Sequence, residues 1–474
     1  MTRWRTYIAG AVVVALAAGS AAHASSNRSA EGVQPSKLVP QPVVTGPVTG
    51  GARTGQPFGT TMVALDKGWV EQEFFFEGKA RAAGKADVAY KSRILVRRPS
   101  DPNHFNGTAV LDWNNVTLGF DKEVSWAPMH RTFMNRGYVY VGVAAQLLSI
   151  EGSPLALKPY DPVRYGSLSH PGDDYSFDIF SQAAQAVLDN KVLGALRPRL
   201  ERRLAVGASQ SGGRLLTYLN TVHAKALVFD GFSPQISSSA GVDRTLAPVL
   251  WVNSQAEVPA TPVAPDSGKF RLWELAGPGH TSYGSDRYQD AVLTYSESNG
   301  EAGAYNAEDA LAWGYQSTPG SCLTANYISS SYVWAAALVA LDGWVRTGQA
   351  PKSQPRAGRA ADGTRSFDAL GNMVGGVRSP LVDAPIASYF TGLNGAPTTD
   401  PCGRAGGAMA LKGTTRILQA AVLKQRYPQP ANYLKAFDAS LRQAEAAGVL
   451  LPEGAADLRR RARVAAAWLG SLPS

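Results

Sequence analysis

Cysteine is nearly absent: the 474 residues hold two, Cys322 and Cys402. That excludes a small disulfide-stapled scaffold and a thiolate-built metal centre, since neither cysteine has ligand spacing, and allows at most one disulfide in an oxidising compartment, a pairing that the sequence leaves open. A bilayer-length apolar segment is missing as well. The N-terminal run from Ile8 to Ala18 is shorter than the ~20 residues a transmembrane helix needs. It follows Arg3 and Arg5 and precedes Ala22-His23-Ala24, so residues 1–24 are predicted to be a signal peptide cleaved before Ser25, giving a secreted or periplasmic chain with no stable membrane insertion once it is removed. Concentrated positive charge is also lacking. The formal net charge of +9 falls by two with Arg3 and Arg5, and the one basic cluster, Arg459-Arg460-Arg461, lies in a helical stretch as a solvated face, which argues against a nucleic-acid partner. No internal repeat is visible, and nothing in the pattern sets an oligomeric state.

What the chain has is apolar bulk, 45% of its residues, enough for a large core. Residues 25–56, rich in Pro, Gly and Ser, are expected to be irregular. Residues 57–349 form the expected catalytic core, with Gly107 to Trp113, Tyr138 to Val143, Leu204 to Val206, Ala226 to Phe229, Val249 to Val252 and Phe270 to Trp273 as strands. Helical stretches at Glu123 to Arg136 and Ser176 to Leu188, the latter capped by Asp174, alternate with them. That alternation predicts an α/β fold with a mostly parallel, doubly wound sheet. Residues 350–474, with helical stretches at Ile417 to Leu423, Ala431 to Ala447 and Ala455 to Leu469, are expected as a C-terminal helical extension packing on the core.

The most telling segment runs from the apolar strand at Leu204 through Gly207-Ala208-Ser209-Gln210-Ser211-Gly212-Gly213 into a helix. A strand, a tight turn of small residues and a helix lift the apical hydroxyl clear of the sheet and leave the first helical amides free to face an oxyanion. Ser209 is the expected nucleophile and Ser211 its rival, because the strand ends one residue before Gly207. A serine also needs a base and a group to orient it. Glu257 and His280 both lie just past predicted strands, in the chain order Ser, acid, His, where open parallel sheets place their sites. Asp230 is the rival acid. The oxyanion donors are expected to be the N–H of Gln210 and one from the loop Asn114-Asn115-Val116-Thr117, with Asn115 the chosen position.

The other histidines are read as structural: His104 in a polar turn, His130 in a helix, His170 on a loop near the pocket, and His223 at a helix end where a cation would favour the dipole. Asp173, Asp174 and Asp178 lack calcium-loop spacing and read as helix-capping residues. No metal or organic cofactor is required. Trp113, Trp126 and Trp251 suit either an apolar pocket or the core.

Several separated segments resemble bacterial alpha/beta hydrolase domain-containing proteins, regarded as secreted esterases. They are Gly107 to Thr117, Gly137 to Gln146, Tyr160 to Gly166, Asp178 to Ala183, the Ser209 turn, Trp273 to Gly277 before His280, and Ala337 to Val345. The resemblance covers roughly residues 50 to 390. It implies the α/β-hydrolase fold, the triad Ser209, Glu257 and His280, and hydrolysis of a small-molecule carboxylic ester through an acyl-enzyme. Amide or lactone hydrolysis, or a non-catalytic ligand-binding scaffold, are the alternatives. The turn is similar to that of glucuronoyl esterases, whose position two after the nucleophile is also not glycine. One departure is the acid loop, where Gln255 stands at the first of two places that often carry carboxylates.

Overall fold

The structure, a computed structural model, describes residues 33–472 apart from 238–240, 243–244, 260–262, 301–316 and 394–397. The expected signal peptide, residues 1–24, lies outside the described residues.

A nine-stranded sheet organises the chain. Its strands are β1 (Val43–Thr45), β2 (Trp69–Ala80), β3 (Val88–Pro99), β4 (Thr108–Trp113), β5 (Val139–Val143), β6 (Arg202–Ala208), β7 (Gly231–Gln235), β8 (Val249–Asn253) and β9 (Phe270–Glu274). They lie in the order β1-β2-β3-β5-β4-β6-β7-β8-β9. The six strands from β5 to β9 pair in parallel, and β1, β2 and β3 add an antiparallel edge. The parallel strands are buried along their length because helices cover both faces. Successive side chains then enter opposite cores: Val110, Leu204 and Leu250 join one cluster, Leu111, Ala205 and Trp251 the other.

The second cluster is closed by α2 (Ser176–Ala186) and α3 (Gln210–Thr221). The first is closed by α1 (Trp126–Asn135), α4 (Tyr283–Glu297), α5 (Ser331–Thr347), α6 (Pro430–Ala447) and α7 (Pro452–Gly470). Phe437 and Leu441 of α6 and Leu458 of α7 belong to the same apolar cluster as Val206 of β6, so the C-terminal helices share the sheet's own core. A small antiparallel sheet of β10 (Cys322–Leu323), β12 (Thr414–Ile417) and β11 (Ala387–Phe390) lies in the C-terminal third, where Cys322 and Cys402 form a disulfide.

Four expectations are corrected. The apolar run Ala226 to Phe229 is not a strand: Ala226 ends a short helix, Leu227 has a positive φ, and the strand is the next five residues, Gly231–Gln235, whose Gly, Ser and Pro read as a turn. Ile417 closes β12 rather than opening a helix. Asp174 does not cap α2, whose N-cap is Tyr175; Asp174 pairs with Lys85 instead. The segment from residue 33 is not wholly irregular, because Val33 N donates to Leu200 O at 2.8 Å and β1 extends the sheet edge.

Candidate active site

Three loops at the carboxyl ends of β6, β8 and β9 converge. The first is the turn after β6. Ser209 sits at φ 60° and ψ −121°, a conformation that L-residues rarely adopt and that surrounding contacts must hold. Its N–H donates to Gln235 O at 3.0 Å, tying the turn to the end of β7. Gly212 lets α3 come close: a Cβ there would stand 2.7 Å from Gln235 O. Ser211 points the other way. Fully buried, its hydroxyl donates to Ala208 O at 2.9 Å and accepts from Ala208 N at 3.0 Å, so it locks the turn's own backbone.

The second loop follows β8. Ser254 caps a short 3-10 turn, Gln255–Glu257, and its hydroxyl donates to Glu257 Oε2. The third follows β9. Gly277 has φ +99°, and a Cβ there would meet Ile328 Cδ1 at 2.5 Å. Its N–H donates to Gln255 Oε1 at 2.9 Å and its carbonyl accepts from Asn326 at 2.7 Å. Gln255, at the first of the acid loop's two places, thus fastens the second loop to the third.

These loops bring Ser209, Glu257 and His280 together. His280 Nδ1 lies 2.6 Å from Glu257 Oε1, and His280 Nε2 lies 2.9 Å from Ser209 Oγ. With the proton on Nδ1 donated to the carboxylate, Nε2 accepts from the serine hydroxyl. The Glu257 side chain is 4% exposed and that of His280 13%, so the carboxylate is shielded while the imidazole keeps an opening toward solvent. Asp230 is elsewhere: it precedes β7 and accepts from Arg203 N at 2.8 Å, at the amino end of the strands.

The loop after β4 packs beside the turn. Asn115 Nδ2 donates to Ala208 O at 3.0 Å, but Asn115 N already donates to Lys122 O, also at 3.0 Å. The expectation that the Asn115 amide serves as an oxyanion donor is therefore corrected; the next amide, Val116 N, donates to Gln210 Oε1 over a longer 3.5 Å. Gln210 is held in turn by Gln146, whose Oε1 accepts from Gln210 Nε2 at 2.9 Å and from Trp113 Nε1 at 3.1 Å. Gln146 and Ser254 escaped sequence reasoning because their contacts join positions that only the fold brings together.

Beneath this loop Asp112 is buried without a cation. Its Oδ2 accepts from Tyr140 at 2.9 Å and from Ser125 N at 3.1 Å, while Oδ1 has no partner among the described residues, and burial pushes the carboxyl up to about 7. The remaining described histidines lie outside the site. His170 bonds Ala145 O at 3.0 Å and His130 bonds Ala127 O at 2.9 Å. His223 is not a helix-end cation: it is buried against Phe232, and burial pushes it down to about 4. Asp173 pairs with Arg214 and Asp178 with Arg81. Trp113, Trp126 and Trp251 are core residues.

A family model described as "Alpha/beta hydrolase domain" matches residues 44–460. Among curated proteins no match is found. Similar solved structures include esterase Est22, with a TM-score of 0.26 and 9% identity over 40% of this chain and 64% of that one. Others are MGS-M1, an alpha/beta hydrolase from a Medee basin deep-sea metagenome library (TM-score 0.24, 11% identity, 38% and 69%), and esterases from the fungus Rhizomucor miehei (TM-score 0.24, 11% identity, 40% and 67%). The chain thus covers under two thirds of Est22, and scores this low carry no argument about chemistry.

Proposed function

The chain belongs to the alpha/beta hydrolase domain family, and from that premise we propose that it is a serine hydrolase cleaving carboxylic esters, exported by its first 24 residues. The observation that carries this reading is the unbroken chain Ser209, His280, Glu257 with contacts of 2.9 and 2.6 Å.

A serine hydroxyl is a weak nucleophile while it keeps its proton. His280 Nε2 takes that proton as Oγ attacks the ester carbonyl, and Glu257 holds the imidazole in the tautomer that leaves Nε2 free and stabilises the imidazolium. The tetrahedral oxyanion accepts from the amides of Gln210, at the start of α3, and Val116, whose 3.5 Å contact with Gln210 Oε1 is more easily exchanged than the 3.0 Å bond of Asn115 N to Lys122 O. His280 then gives its proton to the departing alcohol. Water, deprotonated by the same imidazole, attacks the acyl-enzyme; its oxygen becomes part of the released acid, and the proton returns to Ser209. Every proton in this cycle moves between groups of the chain, the ester and water. The shared core supports treating residues 57–349 and the helices after residue 350 as one catalytic unit.

Treating the protein and its Ser209→Ala and Ser211→Ala variants with a fluorophosphonate, then sequencing the labelled peptide, tests this. Labelling is expected in the wild type and in Ser211→Ala and absent from Ser209→Ala. No labelling of folded wild-type protein would overturn the reading in favour of a ligand-binding scaffold.

A further inference from the structure

The cavity beside His280 does not end there. Its inner part, about 40 Å³, is walled by His280, Ile236, Lys122, Trp334 and the serines Ser282 and Ser331. Beyond it a groove of about 210 Å³ runs between α1, the start of α4, α5 and the C-terminal helix α7. The two spaces share Ala127, Pro128, Ser282, Ser285 and Ser331 as walls, so one surface continues from the imidazole to α7, out to Leu451, Gly454 and Asp457.

Two features give the chemistry of what fits. Along the outer part of the path several polar groups are already engaged with one another. Ser282 bonds Ser285 at 3.0 Å and Ser329 bonds Ser331 at 2.7 Å. At the rim Arg136 pairs with Glu453 at 3.1 Å and Arg461 with Asp457 at 2.9 Å. An uncharged chain can pass these pairs without stripping any of them of a partner. Between them the groove is floored by Ala127, Pro128, Ala335 and Leu451. The second feature is the side of the triad it meets. Among the described residues, the inner wall includes His280 but neither Ser209 nor Gln210. The group that hands a proton to the leaving oxygen must lie beside it, so a channel on the imidazole side holds the alcohol and not the acyl group.

We propose that this seam is the alcohol-side subsite, and that the enzyme favours esters of elongated, unbranched alcohols. The inference rests on the serine-hydrolase reading above.

The test compares ethyl, butyl and octyl acetate with ethyl acetate, butyrate and octanoate, using the wild type and the groove-filling variants Ala335→Leu and Ala127→Leu. Each methylene seated in an apolar site contributes to discrimination. Wild-type kcat/KM should rise about tenfold or more from ethyl to octyl acetate. Both variants should lose that rise while keeping the shape of their profile across the acyl series, which also shows that they fold. If the wild type is indifferent to alcohol length, or the variants act on the acyl series instead, the subsite is wrong while Ser209 still labels with the fluorophosphonate. If folded wild type does not label, the hydrolase reading fails and this inference falls with it.

Discussion

Two buried charge clusters flank the loop that follows β4, and they are built on opposite terms. Around Arg93 and Arg97 of β3, carboxylates meet permanent cations. Glu73 takes Arg93 at 2.8 Å and Arg164 at 2.7 Å, Asp121 takes Arg93 at 2.9 Å, and Arg97 lies 2.6 Å from Glu71 and 2.7 Å from Glu123. Arg97 also stacks over Trp126, 4.5 Å from its centroid. A guanidinium does not release its proton, so this cluster fixes β2, β3 and the segment from Asp121 to Glu123 without any chemistry of its own. Around His280 the single carboxylate meets an imidazole, a group that, unlike a guanidinium, can both take up and release a proton. The first cluster is scaffold; the second has the proton-exchanging partner that the proposed mechanism requires. Burial of charge alone therefore does not separate a proposed catalytic pair from scaffold, and the identity of the partner does.

This contrast makes activity and stability separable. The largest effect is expected from Ser209→Ala, which should lower kcat/KM on a simple ester by ~10⁴-fold or more while the thermal midpoint stays near that of the wild type. Retained turnover would break the comparison at its root. Glu257→Gln should follow at ~10³-fold in kcat, because an amide cannot balance the imidazolium, again with little change in melting. Arg93→Met should do the reverse: leaving Asp121 buried and unpaired and Glu73 with Arg164 as its one remaining cation should destabilise by about 3–5 kcal/mol in urea unfolding. Its activity per folded molecule should be preserved. An Arg93→Met protein that is stable but inactive would erase the distinction.

Asp112 belongs to neither cluster, and its carboxyl pushed up to about 7 gives a pH signature. As pH rises from about 4 to about 7, the unfolded chain releases this proton while the folded chain keeps it, so stability falls; above that range both are ionised and the loss is constant. Asp112→Asn removes this carboxyl's share of the slope and leaves that of Glu123, which burial also pushes up to about 7. Its unfolding free energy relative to the wild type should improve by roughly a few kcal/mol across that window, measured by denaturant titration at several pH values. The smallest effect is expected of Ser211→Ala, about 1 kcal/mol of stability from the lost hydrogen bonds to Ala208, with turnover within a few-fold of wild type.

Much of this was legible because it is local. The small residues at Gly207 to Gly213 after an apolar run announce a strand, turn and helix, and the six parallel strands include the apolar segments ending at Trp113, Val143, Val252 and Trp273. The antiparallel pair β2 and β3 escaped because buried Glu73, Arg93 and Arg97 interrupt their apolar pattern, and only the fold shows that they neutralise one another. The strand β7 was displaced by five residues because its Gly, Ser and Pro carry turn chemistry. The engagement of Asn115 N by Lys122 O is invisible in sequence, since it depends on the loop folding back upon itself.

The contact of Arg136 with Glu453 spans 317 positions. During synthesis α1 therefore leaves the ribosome long before the helix that closes its outer side exists, and the apolar residues that await α6 and α7 stay open until then. Folding of this face is necessarily late, and the unfinished chain is the form in which the protein is most exposed to self-association and proteolysis.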